Sequence, residues 1–223
     1  MEYTVRRARQ TPQLDGDFDG PGWRDANVVN VDRFRPESSD HRPATRAKML
    51  HDDAGIYLAY HVSDRYVVCR HTRPQEMVCN DSCVEAFLQP RSDRGYFNFE
   101  LNCGGTMLLY CVADATRTPK GLAAAEPVDA ELMRRIRIYH SMPASVPEEI
   151  DRPMEWTVQY FVPFALFERY VGEIKPTLAR GWRGNFYKCA DKSSHPHWAS
   201  WAPIGEALNF HVPEHFAPIR FES

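Results

Sequence analysis

Apolar and polar residues alternate along the chain in short runs, a pattern typical of half-buried β-strands. Between residues 44 and 62, two runs of alternate positions each form one face: Thr45, Ala47 and Met49, then Ile56, Leu58, Tyr60 and Val62. Asp52, Asp53 and Gly55 provide turn residues between the two runs. The pattern therefore predicts a β-hairpin.

A second hairpin is predicted further along the chain. Its core-facing positions are Val84, Ala86 and Leu88, then Phe97, Phe99 and Leu101. More strands are predicted over 106–112, 135–140 and 156–162, and Pro163 predicts the start of one short helix. The connections 113–130 and 141–154 are predicted to be long loops, which are usually functional rims or mobile flaps.

The succession of short strands without a βαβ rhythm predicts an all-β fold, an antiparallel β-sandwich of ~10 strands with one short helix and long loops. The chain holds 17 prolines against 12 glycines, and this proline content favours short strands over helices. No composition shift or internal repeat divides the chain, so residues 1–223 are predicted to form a single domain.

Composition excludes several classes of function. The 27 basic and 30 acidic residues give a net charge of −3, which argues against nucleic acid as a partner. No apolar run approaches the roughly 20 residues that span a bilayer, so no membrane association is expected. Met1–Gln10 lacks the apolar region of a secretory signal, so we expect a cytoplasmic protein, or an exported one whose leader was removed before this numbering begins.

The cysteines are interpreted as mostly reduced thiols, because the chain has no CxxC pair. There are six of them: Cys69, Cys79, Cys83, Cys103, Cys111 and Cys189. Zinc sets can be written for Cys79 and Cys83 with His71, or for Cys189 with His195 and His197. Their spacing fits no common ligand pattern, and metal binding stays unknown at this stage.

The second hairpin predicts a pair of facing carboxylates. If Arg91–Arg94 forms its loop, Glu85 lies directly opposite Glu100, a position where like charges are destabilising. The same register places a polar row on the outer face of the sheet: Glu85, Gln89, Asn98, Glu100 and Asn102. Such a row is suited to hold hydroxyl groups on a rigid support. The alternative is a solvated face whose glutamates are compensated by arginines such as Arg46, Arg91 or Arg183.

The last third of the chain supplies flat aromatic faces and polar partners. Saccharides are held by ring stacking and by paired hydrogen bonds to their hydroxyls. The candidate groups are Asn185, Tyr187, Lys188, Trp198, Trp201, Phe210 and His211. Any one ring is more often part of a core than a platform, but the alternation in HWASW predicts that either Trp198 or Trp201 is available for stacking.

With these residues in place, the sequence resembles the family-nine carbohydrate-binding modules and, more closely, the family-nine-like proteins. The resemblance runs through LDGDFDGPGW, AKMLHDDAGIYLAYHVSD, NDSCVEAFLQP, YFNFELNCGGT, VPFALF and RGNFYKCADKSSHPHWASWAPI. It implies a sandwich of immunoglobulin-like or DOMON-like jelly-roll type. It also implies non-catalytic saccharide binding, often beside glycoside hydrolases in polysaccharide breakdown.

The resemblance extends to individual positions. Glu85 matches the glutamate of a VE motif, Asn102 matches an asparagine, and Glu100 stands where an arginine is usual. Phe210 falls near one of two tryptophans that sandwich the sugar, and Cys79 falls near the other. Calcium is bound by some members, although its ligands cannot be assigned on this chain.

The sequence therefore predicts a saccharide site built from eight residues: Glu85, Asn98, Glu100, Asn102, Asn185, Lys188, Trp201 and Phe210. Two alternatives stay open. One is a glycoside hydrolase that uses Glu85 and Glu100 as its two carboxyl groups. The other is a metal-binding module around His195 and His197, whose imidazoles fall on one side of an extended HPH segment.

Overall fold

The computed structural model describes residues 1–222 and contains fourteen strands and three short α-helices. The strands are β1 Tyr3–Arg7, β2 Val28–Asn30, β3 Arg33–Phe34, β4 Ala44–His51, β5 Gly55–Cys69, β6 Cys83–Gln89, β7 Tyr96–Asn102, β8 Met107–Thr118, β9 Gly121–Pro127, β10 Arg137–His140, β11 Val146–Pro163, β12 Trp182–Cys189, β13 Trp198–Ser200 and β14 Ala217–Phe221. The helices are α1 Ala130–Met133, α2 Phe164–Val171 and α3 Lys175–Arg180.

The strands form two packed sheets, so the predicted β-sandwich is confirmed. One sheet runs β14-β12-β6-β7-β8-β9, with β13 beside β12 and β3 beside β13. The other runs β10-β11-β5-β4, with β2 beside β4. Strand β1 joins the two sheets: its first half pairs with β14 and its second half with β4, both in parallel. These two parallel pairings are the exception to the predicted antiparallel arrangement.

The core lies between the two sheets and takes the apolar face that the alternation predicts. Met49, Leu58, Val84 and Phe99 are all less than 2% exposed there. Burial of such side chains is worth about 1.5–3 kcal/mol each and is the main contribution to the stability of the sandwich. Trp23 is also buried, in a smaller cluster with Tyr57 and Ala59 on the face of the second sheet that points away from the core.

The helix content and the long loops differ from the prediction. The segment that begins at Pro163 is helical as predicted, and it ends at Gly172, whose φ is +78°. Two further short helices, α1 and α3, were not predicted. The predicted loop 113–130 is mostly the extension of β8 and its return as β9, and most of the predicted loop 141–154 is the start of the long β11. Ladder pairing overrides the proline and polar content of these segments.

The register predicted for the second hairpin is confirmed. Glu85 pairs with Glu100, Phe87 with Asn98, and Cys83 with Asn102 across β6 and β7. Because side chains alternate along a strand, this register directs both glutamates away from the core. Within residues 1–222, no helix combines the length and apolar character needed to cross a bilayer.

Candidate functional site

A cleft of about 620 Å³ lies over the outer face of β6, β7, β8 and β12. We call it the outer-face cleft, and its main groups are Glu85, Asn98, Glu100, Asp191, Trp198 and Phe210. The sheet forms its floor, and three connecting segments form its walls: the 3-10 turn at 78–80, the β8–β9 hairpin and the loop 208–211. The cleft size falls within the range typical of small-molecule sites.

The floor carries the two facing carboxyl groups. Asn98 Nδ2 donates to Glu100 Oε1 over 2.8 Å, and Asn98 Oδ1 accepts from the backbone N–H of Tyr110 over 2.9 Å. The Cys189 thiol donates to Glu85 Oε1 over 3.1 Å, whereas Glu85 Oε2 is buried without a hydrogen-bond partner among the described residues. The site therefore contains fixed acceptors of which at least one is unsatisfied.

Burial changes the protonation of these carboxyl groups. It raises the pKa of Glu100 to about 7, with Asp191 adding to the rise and the Asn98 hydrogen bond opposing it. Burial, and then the nearby Glu100, raise the pKa of Glu85 well above its ordinary value. Burial also raises the pKa of Asp191, the third acid of the cleft. Near neutral pH the facing pair thus holds a proton that two exposed glutamates would have lost.

The arginine-compensated surface that was the alternative interpretation is wrong. Glu85 is 2% exposed and Glu100 is 6% exposed, so neither is a solvated surface group. The three arginines have other partners: Arg46 lies near Asp19, Arg91 pairs with Asp93, and Arg183 donates to the Phe216 carbonyl.

Aromatic rings form one side of the cleft. Phe210 is half-buried and stacks on Tyr187, with ring centroids 4.1 Å apart and planes 12° from parallel. The Tyr187 hydroxyl donates to the Phe210 carbonyl and fixes the loop against β12. Trp198, also half-buried, donates its indole N–H to Asp191 over 2.7 Å. These contacts hold two rings at the cleft with little freedom to move.

Exposed cations lie on the wall that the β8–β9 hairpin forms. Arg117 and Lys120 belong to the β8–β9 hairpin, and Arg117 donates to the Asn209 side chain across the cleft. His211 also lines the cleft, and burial and the nearby Arg117 lower its pKa to about 4, so it is neutral near pH 7. The cleft thus combines acidic groups on its floor with basic groups on its rim.

Two predicted asparagines lie near the cleft but use their amides to hold the protein's own backbone. Asn102 donates to the His71 carbonyl and to Asp81, and accepts from the N–H of Thr106. Asn185 donates to the Ala202 carbonyl and accepts from the N–H of Ala202. Both are fully buried, and neither lines the cleft.

Lys188 and Trp201 lie on the core side of the sheet, so the structure does not bring them into the cleft. Lys188 pairs with Val84 in the register of β6 and β12 and shares its inward face. Its Nζ donates to His197 Nε2 over 2.8 Å and lies 3.7 Å from Asp64 Oδ2. Trp201 is 6% exposed and packs edge-on against Tyr3 and Phe186.

The eight-residue site predicted from the sequence omits four residues that line the cleft: Tyr110, Cys189, Asp191 and Trp198. The alternation in HWASW correctly predicted that one tryptophan is available, but it could not say which one. The extended β8 brings Tyr110 and the cationic hairpin into the site. That extension was hidden by the polar composition of residues 113–118.

The metal site suggested around His195 and His197 does not form. Both ring nitrogens of His197 are used, one toward Lys188 and the other toward the His195 carbonyl. His195 instead stacks on Tyr66, with ring centroids 3.6 Å apart. Among residues 1–222, the His, Cys, Asp and Glu ligand atoms that converge on one point are those of Cys83, Glu85 and Cys189. This sulfur-containing set does not fit calcium, which prefers oxygen ligands.

The chain is similar to solved carbohydrate-binding proteins. A candidate carbohydrate-binding protein of Bacteroides uniformis ATCC 8492 is 26% identical, with a TM-score of 0.83 and 99% of each chain covered. A family 9 module of Caldicellulosiruptor kristjanssonii in complex with cellotriose is 12% identical, with a TM-score of 0.64 over 100% of this chain and 94% of that one. The same organism's family 9 module in complex with glucose is 11% identical, with a TM-score of 0.60 over 98% and 95% of the two chains.

A search of curated protein sequences finds no significant match. The sequence does match the family model described as carbohydrate-binding family 9, over residues 23–221. This match spans most of the chain, from the buried Trp23 to the last residue of β14. The chain therefore belongs to carbohydrate-binding family 9.

Proposed function

We propose that the outer-face cleft binds a saccharide without catalysing its conversion. The observation that carries the proposal is the meeting, in one cleft, of buried carboxyl and amide groups with half-buried aromatic rings. Rings stack on the C–H face of a sugar, and carboxylates accept hydrogen bonds from its hydroxyls. Both kinds of group are fixed on a rigid sheet, which lowers the entropic cost of binding.

Glu100 and Asn98 are assigned to the sugar hydroxyls, and Phe210 to the ring face. Asn98 orients Glu100 through the hydrogen bond between their side chains, and Tyr187 supports Phe210 from behind. Asn102 and Asn185 take a supporting role, because their amides hold the 71–81 segment and the segment that follows β13. Lys188 and Trp201 are left out of the proposed contacts.

The two solved family 9 modules in complex with cellotriose and glucose support this choice of ligand class. We therefore take glucose and cellotriose as the first ligands to test. A link to polysaccharide breakdown beside glycoside hydrolases belongs to the same proposal and rests on family membership alone.

Calorimetry on the full chain at pH 8 tests the assignment. Glu100→Gln is expected to weaken binding by about tenfold, because a charge-assisted hydrogen bond is replaced by a neutral one. Phe210→Ala is expected to weaken it by about three- to tenfold through loss of ring contact. Affinity of the unaltered protein should also fall as the pH drops below 7 and Glu100 takes up a proton, whereas affinity of Glu100→Gln should stay level.

Phe221→Ala is the matched control. Phe221 is also half-buried, but it packs on Trp182 and His51 at the end of β14, outside the cleft. Its loss should leave saccharide affinity unchanged. Equal loss of affinity in Phe210→Ala and Phe221→Ala, or no binding of any saccharide on a glycan array by the folded protein, would count against the proposal.

The glycosidase interpretation stays the second candidate. The observation that favours it is the opposed pair of glutamates with raised pKa values. A carboxyl group whose pKa is raised stays protonated near neutral pH and can act as the general acid of a glycosidase. Hydrolysis of an aryl glycoside that disappears in Glu100→Gln would support it. Saccharide binding with no turnover above the buffer rate would reject it in favour of the binding role.

A further inference from the structure

Two cysteines and a glutamate converge below the outer-face cleft. Cys83 and Cys189 lie directly opposite each other on β6 and β12, and Glu85 lies two residues along β6 on the same face. Their two sulfurs and a carboxylate oxygen all lie within 4.8 Å of one another. Ligands held about 2.0–2.3 Å from one ion are at most about 4.6 Å apart, so small rotamer changes would bring all three onto a common ion.

The cluster is buried and incompletely satisfied. Cys83, Cys189 and Glu85 are all no more than 2% exposed. Glu85 Oε2 has no hydrogen-bond partner among the described residues, although a buried acceptor without a partner costs about 1–3 kcal/mol. A bound cation would satisfy that oxygen and would replace the thiol proton that Cys189 donates to Glu85 Oε1.

We propose that Cys83, Glu85 and Cys189 bind a thiophilic divalent metal ion of the zinc class. Two sulfurs with one carboxylate favour such an ion over calcium or magnesium, which select oxygen ligands. Because Glu85 and Cys189 also line the cleft, the fourth coordination position would open toward it. Three protein ligands with one open position are a common arrangement for zinc.

The chain folding, and not a local motif, creates this site. The two cysteines are separated by nearly half of the chain and become neighbours only through the pairing of β6 and β12. Each falls in a stretch without a CxxC or HxxxH pattern. The inference does not depend on the proposed function, because its test uses no saccharide.

Metal titration of the reduced full chain tests the proposal. The protein is stripped with a chelator and titrated with Zn²⁺ in competition with a chromophoric chelator, and separately with Co²⁺. We expect a single ion per chain, and sulfur-to-metal charge-transfer absorption with Co²⁺. Cys189→Ser and Cys83→Ser should each weaken zinc binding by about 100-fold or more, since each removes a ligand, and should at least halve that absorption at saturating Co²⁺.

Two further variants distinguish binding at the proposed site from nonspecific effects of substitution. Cys111→Ser removes a buried cysteine of β8 that lies outside the cluster, and it should keep both the affinity and the absorption. Glu85→Gln keeps the size of the side chain and should weaken zinc binding while leaving the sulfur absorption visible at high Co²⁺. Circular dichroism of each variant checks that it folds. Zn²⁺ should raise the melting temperature of the unaltered protein and of Cys111→Ser, but not that of Cys83→Ser or Cys189→Ser.

Three results would overturn the proposal. The first is no zinc uptake by the folded, reduced protein. The second is equal affinity in the cysteine variants, which would indicate adventitious binding by surface histidines. The third is Co²⁺ binding without sulfur absorption.

Discussion

Lys188→Met is expected to destabilise the protein by about 3–5 kcal/mol, the loss typical of removing one partner from a buried ion pair. Lys188 and Asp64 are both buried between the sheets, 3.7 Å apart. Methionine keeps most of the side-chain volume, so the loss reports the charge and its hydrogen bonds more than a cavity. His197 also loses the donor to its Nε2 atom.

The carboxyl group of Asp64 shows why this loss is large. Burial alone would raise its pKa, but Lys188 and His41 together hold the pKa below its ordinary value, so the group is charged in the folded protein. Without Lys188 the buried carboxylate keeps only His41 and the Trp156 indole N–H as side-chain partners. An uncompensated buried charge is among the costliest defects in a fold.

Urea unfolding of Lys188→Met, Asp64→Asn and the double variant measures the effect. We expect the double variant to lose less than the sum of the two single variants, because it removes both members of the pair. Saccharide affinity of Lys188→Met should be unchanged at a temperature where it is folded. Full stability combined with lost saccharide binding would instead show that Lys188 belongs to the binding site.

Glu100→Gln is expected to gain stability over the unaltered protein as the pH rises. The difference in unfolding free energy between the two proteins should shift by about 3 kcal/mol in favour of the variant between pH 4 and pH 8. The pKa of Glu100 is about 7 in the folded chain, against an ordinary value of 4.5. Between these values the folded state holds a proton that the unfolded state has released. Stability from this group is therefore complete below pH 4.5 and is lost as the pH rises through 7.

The comparison with the variant isolates the contribution of the Glu85–Glu100 pair from that of the titrating histidines. Burial lowers the pKa of both His197 and His211, so these residues cause an opposite loss of stability at low pH. They are the same in both proteins and cancel in the difference. Parallel pH profiles of unfolding free energy for the two proteins would contradict the raised pKa, and a gap that opens above pH 5 would support it.

The architecture and the carboxyl pair were accessible to sequence analysis because they depend on local pattern. The alternation of apolar residues gave the hairpins, and the loop Arg91–Arg94 gave the register that sets Glu85 against Glu100. A shift of one residue in the pairing of β6 and β7 would have separated the two glutamates. The position of the turn was therefore the feature from which this part of the site was predicted. The assignment of residues 1–223 to one domain and the expected localisation stay predictions.

The rest of the site depends on contacts that are distant along the chain. Lys188 stands between two outward-facing residues of β12, Tyr187 and Cys189, and only the position of that strand beside β6 shows that it faces inward. Asn102 and Asn185 are polar and lie in the right strands, yet nearby backbone groups use their amides. Sequence pattern gives the face of a residue but not the partner that occupies its hydrogen bonds.

The most direct test of the saccharide cleft is a crystal structure of the protein soaked with cellotriose. We predict a sugar ring in the outer-face cleft, with a hydroxyl within hydrogen-bond distance of Glu100 and its C–H face against Phe210. A larger groove, of about 860 Å³, lies between α3 and the ends of β6 and β14 and is lined by Arg91, Arg180 and Arg183. Ordered sugar in that groove with the outer-face cleft empty would contradict the account.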